Sequence, residues 1–234
     1  MARVRRAVAS AADRRGVLRV GETVLVACSG GPDSSALLDV LARLAPPRGW
    51  RLAVAFVDHG LRPGSEEEGR RVRELAAARG LPFSAVRLSV GQGPSLQARA
   101  REARYEGLTG VAAALGASAI ALGHTADDQA ETVLMRALSA ASPRSLVAMG
   151  ERSGRLARPL LRVWREETVA YCGALGIDPV EDPSNSDRRF LRSRVRHELL
   201  PALEAVFPGA RRRLVTLAAR QRRLLDGDGA SPDP

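Results

Sequence analysis

ETVLVACSGGPDSSALLDVLARL, residues 22–44, passes from an apolar β-branched run through two glycines and a proline into a helical pattern. Residues 22–27 read as a buried strand, and apolar positions at helical spacing fill 34–44. Strand, tight turn and helix in that order open a β-α-β unit. The order repeats along the chain. Apolar runs at 52–57, 83–88 and 119–122 alternate with helical stretches at 65–79, 95–115 and 126–138. These spacings are too long for hairpins and suit right-handed crossovers. The expected fold class is α/β: a doubly wound, mostly parallel, Rossmann-like sheet with helices on both faces and a helical C-terminal appendage. Continuous apolar strands agree, because both of their faces are covered.

Outward from that core, residues 1–20 are expected as an amphipathic first helix with Val4, Val8 and Ala11 or Ala12 inward. Residues 21–160 are expected to form the sheet domain, 161–225 a helical appendage, and 226–234 (DGDGASPDP) a disordered polar tail. After Ala141 the pattern changes: 155–161 is expected as a short strand and 166–175 as a helix ending at Gly176. Residues 188–206 are expected as one or two helices broken at Pro201, and 208–225 as a basic helix.

Composition narrows the chemistry. The 234 residues are 45% hydrophobic but only 3% aromatic, so the core is built from Ala, Leu and Val. The net charge is +10, and all 36 basic residues are Arg. A GC-rich genome explains that bias, and so does a polyanionic partner, since the guanidinium fork matches phosphate. Without Lys, a Gly-Lys-Ser/Thr phosphate loop is excluded. Two distant cysteines, Cys28 and Cys172, supply neither a disulfide framework nor a Cys-x-x-Cys metal site, which fits a reducing cytoplasm. No apolar run reaches the roughly 18 residues of a membrane span.

In an open parallel sheet, ligands bind beyond the carboxyl ends of the strands, so the residues after each strand carry the chemistry. After the first come Ser29, Gly30, Gly31, Pro32, Asp33 and Ser34. Two glycines admit an anion close to the backbone, and the amides and dipole of the following helix hold it. Asp33 would repel a bare phosphate, but makes sense with Mg2+ between. A plain capped turn is the bland alternative. After the second strand stands VDHGLRPGS (57–65), with Asp58, His59 and Arg62 at the strand end. A helix then carries QARAREARY (97–105), where Arg101 and Arg104 share a face. After the fourth strand, GHTADDQAET (123–132) places His124, Asp128 and Glu131 on one helical stripe. Two carboxylates and an imidazole suit a magnesium ion or an ammonium group. Asp127 is explained as a first-turn acid on the helix dipole.

SGGPDS after the first strand resembles the pyrophosphate loop of the N-type ATP pyrophosphatases, whose fold is of the adenine nucleotide alpha hydrolase type. VDHGLR, AREARY and GHTADDQAET, followed by RPLL (158–161), DPSNSD (182–187), FLRSRVR (190–196) and LLP (199–201), are similar to the tRNA(Ile)-lysidine synthetase family. The likeness implies ATP and Mg2+ as cofactors, with Asp33 and Asp128 at the metal. It implies Asp33, Arg101, Arg104, His124, Asp128 and Glu131 in catalysis, without choosing between the two arginines at the phosphates. Substrates would contact Asp58, His59, Arg62, His124, Asp128, Glu131, Arg192 and Arg196. The implied partners are free L-lysine and a cytoplasmic tRNA(Ile) with a CAU anticodon, with a homodimer as a possible assembly and no membrane. The implied reaction adenylates the wobble cytidine, releases pyrophosphate, and lets the lysine ε-amine displace AMP to leave lysidine. A carboxylate or His124 takes the amine's proton.

Two positions depart from the family pattern. Residues 139–149 (SAASPRSLVAM) carry Ala or Ser where the family has glycines, so positive-φ positions there would force another course. Ser193 stands where Asn is usual. The rival readings are a related tRNA thiolase, which tends to carry paired cysteines, and a nucleotide-binding protein without tRNA activity.

Overall fold

A computed structural model describes residues 1–58, 65–88, 96–139, 143–180 and 187–227. The chain divides into two compact units: Met1–His124 with Glu151–Glu181, and Thr125–Gly150 with the C-terminal helices.

The first unit is the parallel sheet. β1 (Thr23–Ala27) lies between β2 (Arg51–Asp58) and β4 (Ala119–Leu122), with Val24 in register with Leu52 on one side and Ala119 on the other. β3 (Phe83–Arg87) extends the sheet beyond β2. Beyond β4 come β6 (Leu156–Ala157) and the antiparallel edge β5 (Arg152–Ser153), giving the order β3-β2-β1-β4-β6-β5. Alternation along the strands separates two cores. Val24, Val26, Val54, Phe56, Ala119 and Ala121 face one layer, while Leu25, Ala27, Ala53, Ala55, Ile120 and Leu122 face the other. The first layer takes α1 (Ala2–Arg15), α2 (Pro32–Leu44), α3 (Ser65–Ala77) and α6 (Arg165–Ala174). The second takes α4 (Leu96–Ala114) through Leu108 and Ala112. The fold is the expected doubly wound sheet, and α1 buries Val4, Val8, Ala11 and Ala12 together.

The chain leaves β1 towards β2 and β3 and returns to β4 on β1's other side. The ends of β1 and β4 therefore flank the topological switch point, where ligands of such sheets bind. The segment expected as a strand at 155–161 pairs only over Leu156–Ala157. Pro159 has no N–H for a ladder, and from Arg158 on the chain turns, with Leu161 N–H donating to Arg158 C=O (3.2 Å).

A buried carboxylate joins the helices of the first layer. Asp39 on α2, 2% exposed, accepts from Arg43 Nε (2.7 Å), Arg79 Nη2 (2.6 Å) and the Tyr171 hydroxyl of α6 (2.6 Å). Burial pushes the Asp39 carboxyl up, but hydrogen bonds from Arg43, Tyr171 and Arg79 outweigh it and hold it below its ordinary value.

The second unit is helical: α5 (Ala126–Ser139), a 3-10 turn (Pro143–Val147), α7 (Leu191–Arg194), α8 (Leu200–Val206) and α9 (Ala210–Gly227). Leu134, Val195 and Leu200 form its core. Pro201 does not break the chain as expected. Val195–Leu199 forms a π turn, and Pro201 falls in the first turn of α8, where no intrahelical N–H is required of it. Asp226 and Gly227 close α9; the remainder of the expected tail, 228–234, lies outside the described residues.

Tyr171→Phe should lower unfolding free energy by about 2 kcal/mol, the worth of a hydrogen bond to a buried charge. Urea unfolding followed by circular dichroism would read it as a lower midpoint at unchanged slope.

Candidate nucleotide and amino-acid sites

The turn after β1 is fixed by side chains that leave the helix N-terminus open. Gly31 is the N-cap of α2 with Pro32 next, and no side chain caps the helix. The serines turn to the loop instead. Ser34 Oγ accepts from Ser29 N–H (3.2 Å) and donates to Gly31 C=O (3.0 Å). Ser35 Oγ, unforeseen in the sequence, donates to Gly30 C=O (3.0 Å). Ser35 N–H closes the first turn on Gly31 C=O (3.0 Å), and the positive end of the helix dipole lies at the loop. Gly30 needs its glycine twice over. Its φ is +86°, and a Cβ there would lie 3.1 Å from Val180 Cγ2. Gly123, at the end of β4, packs directly on this turn, and a Cβ on it would meet Ser34 N at 3.0 Å and Ser34 Cα at 3.1 Å.

Asp33 does not stand alone. Arg165 Nη2 lies 2.9 Å and Nε 3.1 Å from its Oδ2, and the Thr168 hydroxyl donates to Oδ1 at 2.5 Å. Both partners come from the first turn of α6, whose start is set by Glu167 accepting from Trp164 N–H (3.0 Å). Sequence reasoning missed them. They lie more than 130 residues from Asp33, and nothing local marks them. Cys28 and Cys172 border the same turn, through Ser34 Oγ (3.7 Å) and Pro32 C=O (3.4 Å) respectively. Burial raises both thiols, that of Cys172 to about 11 with the charge of Asp33 adding to it.

Elsewhere in this unit, Asp58 closes β2 with its carboxylate 4.0 Å from Arg87 Nε. His59 and Arg62 lie outside the described residues. The two arginines of α4 differ. Arg101 is exposed, stacks on Tyr105 at 5.0 Å and donates to its hydroxyl (3.1 Å). Arg104 is half-buried, and desolvation, with repulsion from Arg101, holds its guanidinium below the ordinary value. His124 is half-buried at the end of β4.

In the second unit, Asp128 and Glu131 are both buried on α5, as the stripe predicts. Asp128 Oδ2 accepts from Thr125 N–H (2.9 Å) and the Thr125 hydroxyl (3.1 Å), closing the helix start. Its Oδ1 accepts from Arg192 Nη2 (3.1 Å) and Arg196 Nη2 (3.3 Å). Glu131, its side chain 1% exposed, accepts from Arg192 Nε (2.7 Å) and Arg196 Nε (2.5 Å). Four residues expected to bind substrates therefore form one cluster of two acids and two arginines. Asp127 pairs with Arg211 (3.2 Å).

The glycine-poor segment keeps a glycine-like turn. Ala148 has φ +53°, alone among the described non-glycine residues in the left-handed region. Gln129, 6% exposed, clamps the next residue from both sides: Nε2 donates to Met149 C=O (2.9 Å), and Oε1 accepts from Met149 N–H (3.0 Å).

The PP-loop domain family matches residues 3–203. Among curated relatives, the tRNA(Ile)-lysidine synthase of Salinispora tropica is 47% identical over 216 residues, covering 90% of this chain and 64% of that protein. The synthase of Salinispora arenicola is 46% identical, covering 95% and 70%. That of Thermobifida fusca is 44% identical, covering 92% and 66%. The chain thus spans about two thirds of the length of these relatives. Among solved structures, a U34-tRNA thiolase from Methanococcus maripaludis superposes with a TM-score of 0.77 at 17% identity, over 96% of this chain and 79% of that one. An NH3-dependent NAD synthetase from Campylobacter jejuni gives 0.52 at 14%, over 99% and 96%. Both share the fold.

Two substitutions test these local constraints. Gly123→Ala should cost about 1–3 kcal/mol because its new methyl meets backbone. Gly110→Ala, where no atom lies within 4 Å, should be neutral or stabilising; denaturant titration of both separates contact from composition. Ala148→Gly relieves a left-handed alanine, so its melting midpoint should rise, by roughly 1 kcal/mol of stability.

Proposed function

We propose a reaction from one premise: the chain belongs to the tRNA(Ile)-lysidine synthase family of PP-loop proteins. The enzyme binds ATP with its phosphates on residues 29–34, adenylates the wobble cytidine of a tRNA(Ile) with a CAU anticodon, and releases pyrophosphate. Free lysine then displaces AMP through its ε-amine, leaving lysidine. The observation that carries this reading is the uncapped start of α2 behind a Gly-Gly-Pro turn whose serines bond back to the loop. Such a turn offers amides to an anion and little else.

Asp33 fits a magnesium ion in kind, because Mg2+ takes one or two carboxylates besides the nucleotide's phosphates. The ion would shield phosphate charge. Asp128 suits it less: Thr125, Arg192 and Arg196 already give its carboxylate four hydrogen bonds, about its acceptor capacity. Of the two arginines on α4, we assign Arg104 to the phosphates. A desolvated guanidinium gains most from an anion, whereas Arg101 already has Tyr105.

Lysine is a zwitterion with a further ammonium group, and the Asp128–Glu131–Arg192–Arg196 cluster presents both signs of charge. The arginines suit the carboxylate, and as they turn to it they release the acids for an ammonium. His124, Asp128 and Glu131 are the candidates for receiving the amine's proton. The thiolase alternative finds no activated sulfur here, since Cys28 and Cys172 are both buried and raised.

The decisive experiment incubates the chain with ATP, labelled lysine and tRNA(Ile), then digests the RNA to nucleosides. A labelled cytidine derivative, with one AMP and one pyrophosphate each, is expected. ATP binding with no lysine- and tRNA-dependent AMP formation would instead leave a nucleotide-binding protein. In the same assay Arg104→Gln should reduce turnover by roughly 100-fold, as losing a charge-stabilising donor does, against less than about threefold for Arg101→Gln.

A further inference from the structure

The arginines of the second unit fall into two groups. Arg192 and Arg196 turn onto Asp128 and Glu131. From α9, Arg211 reaches Asp127 and Glu204, and Arg222 donates to Val147 C=O at 3.0 Å. These four are committed to protein acceptors. Arg212, Arg213, Arg220 and Arg223 are exposed, Arg223 with a bond to Ala219 C=O (3.4 Å).

Helical geometry gathers the exposed four. At about 100° per residue they fall within an arc of roughly 100° around Thr216, along some 16 Å of helix. Ala218, 1% exposed, marks the opposite, inward side. The arrangement opposes the stability of the helix. Residues 210–225 include no Asp or Glu. Arg220 and Arg223, three apart, repel each other. Three consecutive arginines, 211–213, occupy the first turn, where the dipole disfavours cations. Arg213 and Arg220 have no carboxylate partner among the described residues. A solvated surface helix would gain by interspersing acids, as α3 does with Glu67 and Glu74 around Arg70.

We propose that this ridge of α9 is a docking surface for the phosphodiester backbone of RNA. It rests on the tRNA reading above and names where the nucleic acid is gripped. RNA phosphates supply the counter-charge that the described residues withhold from Arg213 and Arg220, and guanidinium groups match them in fork geometry. Such contacts fix position without reading sequence, so the ridge contributes affinity and leaves the choice of base to other residues.

The test compares the full chain with Arg213→Gln/Arg220→Gln and with Arg6→Gln/Arg14→Gln, an equal loss of charge from exposed sites on α1. Transfer RNA binding is followed by fluorescence anisotropy across roughly 50–200 mM salt. The ridge variant should bind about tenfold more weakly at 0.1 M salt, with its log K against log salt slope shallower by roughly 1.4–1.8, two phosphate contacts' worth. The α1 variant should keep the wild-type slope, and all three should bind ATP equally. Because the ridge substitutions relieve repulsion, melting should not fall. A ridge variant with wild-type slope overturns the proposal while leaving the tRNA reading intact. So does one that keeps tRNA binding but loses binding to phosphatidylserine vesicles, which would make the ridge a membrane-facing surface. A wild-type chain without tRNA affinity overturns the tRNA reading and the ridge with it.

Discussion

The first turn of α2 is surrounded by polar side chains that turn to other partners. Ser34 and Ser35 satisfy carbonyls of the loop, Asp33 is drawn aside by Arg165 and Thr168, and Gly31 has no side chain to cap with. A helix start left in this state is less stable than a capped one, by about 1 kcal/mol. Everything around it compensates. Tyr171 and Arg79 tie α2 to its neighbours through Asp39, and Gly123 lets β4 approach without a methyl in the way. The helix is held rigid from its sides so that its end can remain open to a ligand.

The same economy governs charge. A chain whose cations are all arginine has matched acids to them selectively. Asp33 in the first unit, and Asp128 and Glu131 in the second, each hold a guanidinium. A buried carboxylate without such a partner would be strongly disfavoured. An incoming cation or anion would therefore exchange partners with the pair instead of meeting a bare charge.

Much of this was legible in the sequence, because the signals are local. The continuous apolar runs of β1, β2 and β4 and the switch to helical spacing after Pro32 mark the sheet and its helices. The SGGPDS and GHTADDQAET strings mark the ends of β1 and β4 by their chemistry. What was not legible depends on tertiary pairing. Arg165 and Thr168 look like ordinary first-turn residues until α6 lies against α2. Arg192 and Arg196 belong to the FLRSRVR string expected to contact substrates, and nothing in it shows that they close on Asp128 and Glu131. Pro201 reads as a break because a one-dimensional pattern cannot anticipate the π turn that absorbs it. The glycine-poor segment was readable only as a departure. Its backbone still adopts the left-handed turn at Ala148, with the Gln129 amide holding the strained residue's neighbour in place.

Cys28 and Cys172 border the loop from opposite elements, β1 and α6, and both are shut away from water. While the fold is closed, alkylating reagents and mild oxidants find no thiolate to attack. Whenever α6 lifts from α2, both sulfurs become reachable at once. The pair is thus an intrinsic clock for that joint, and its labelling rate counts how often α6 and α2 part.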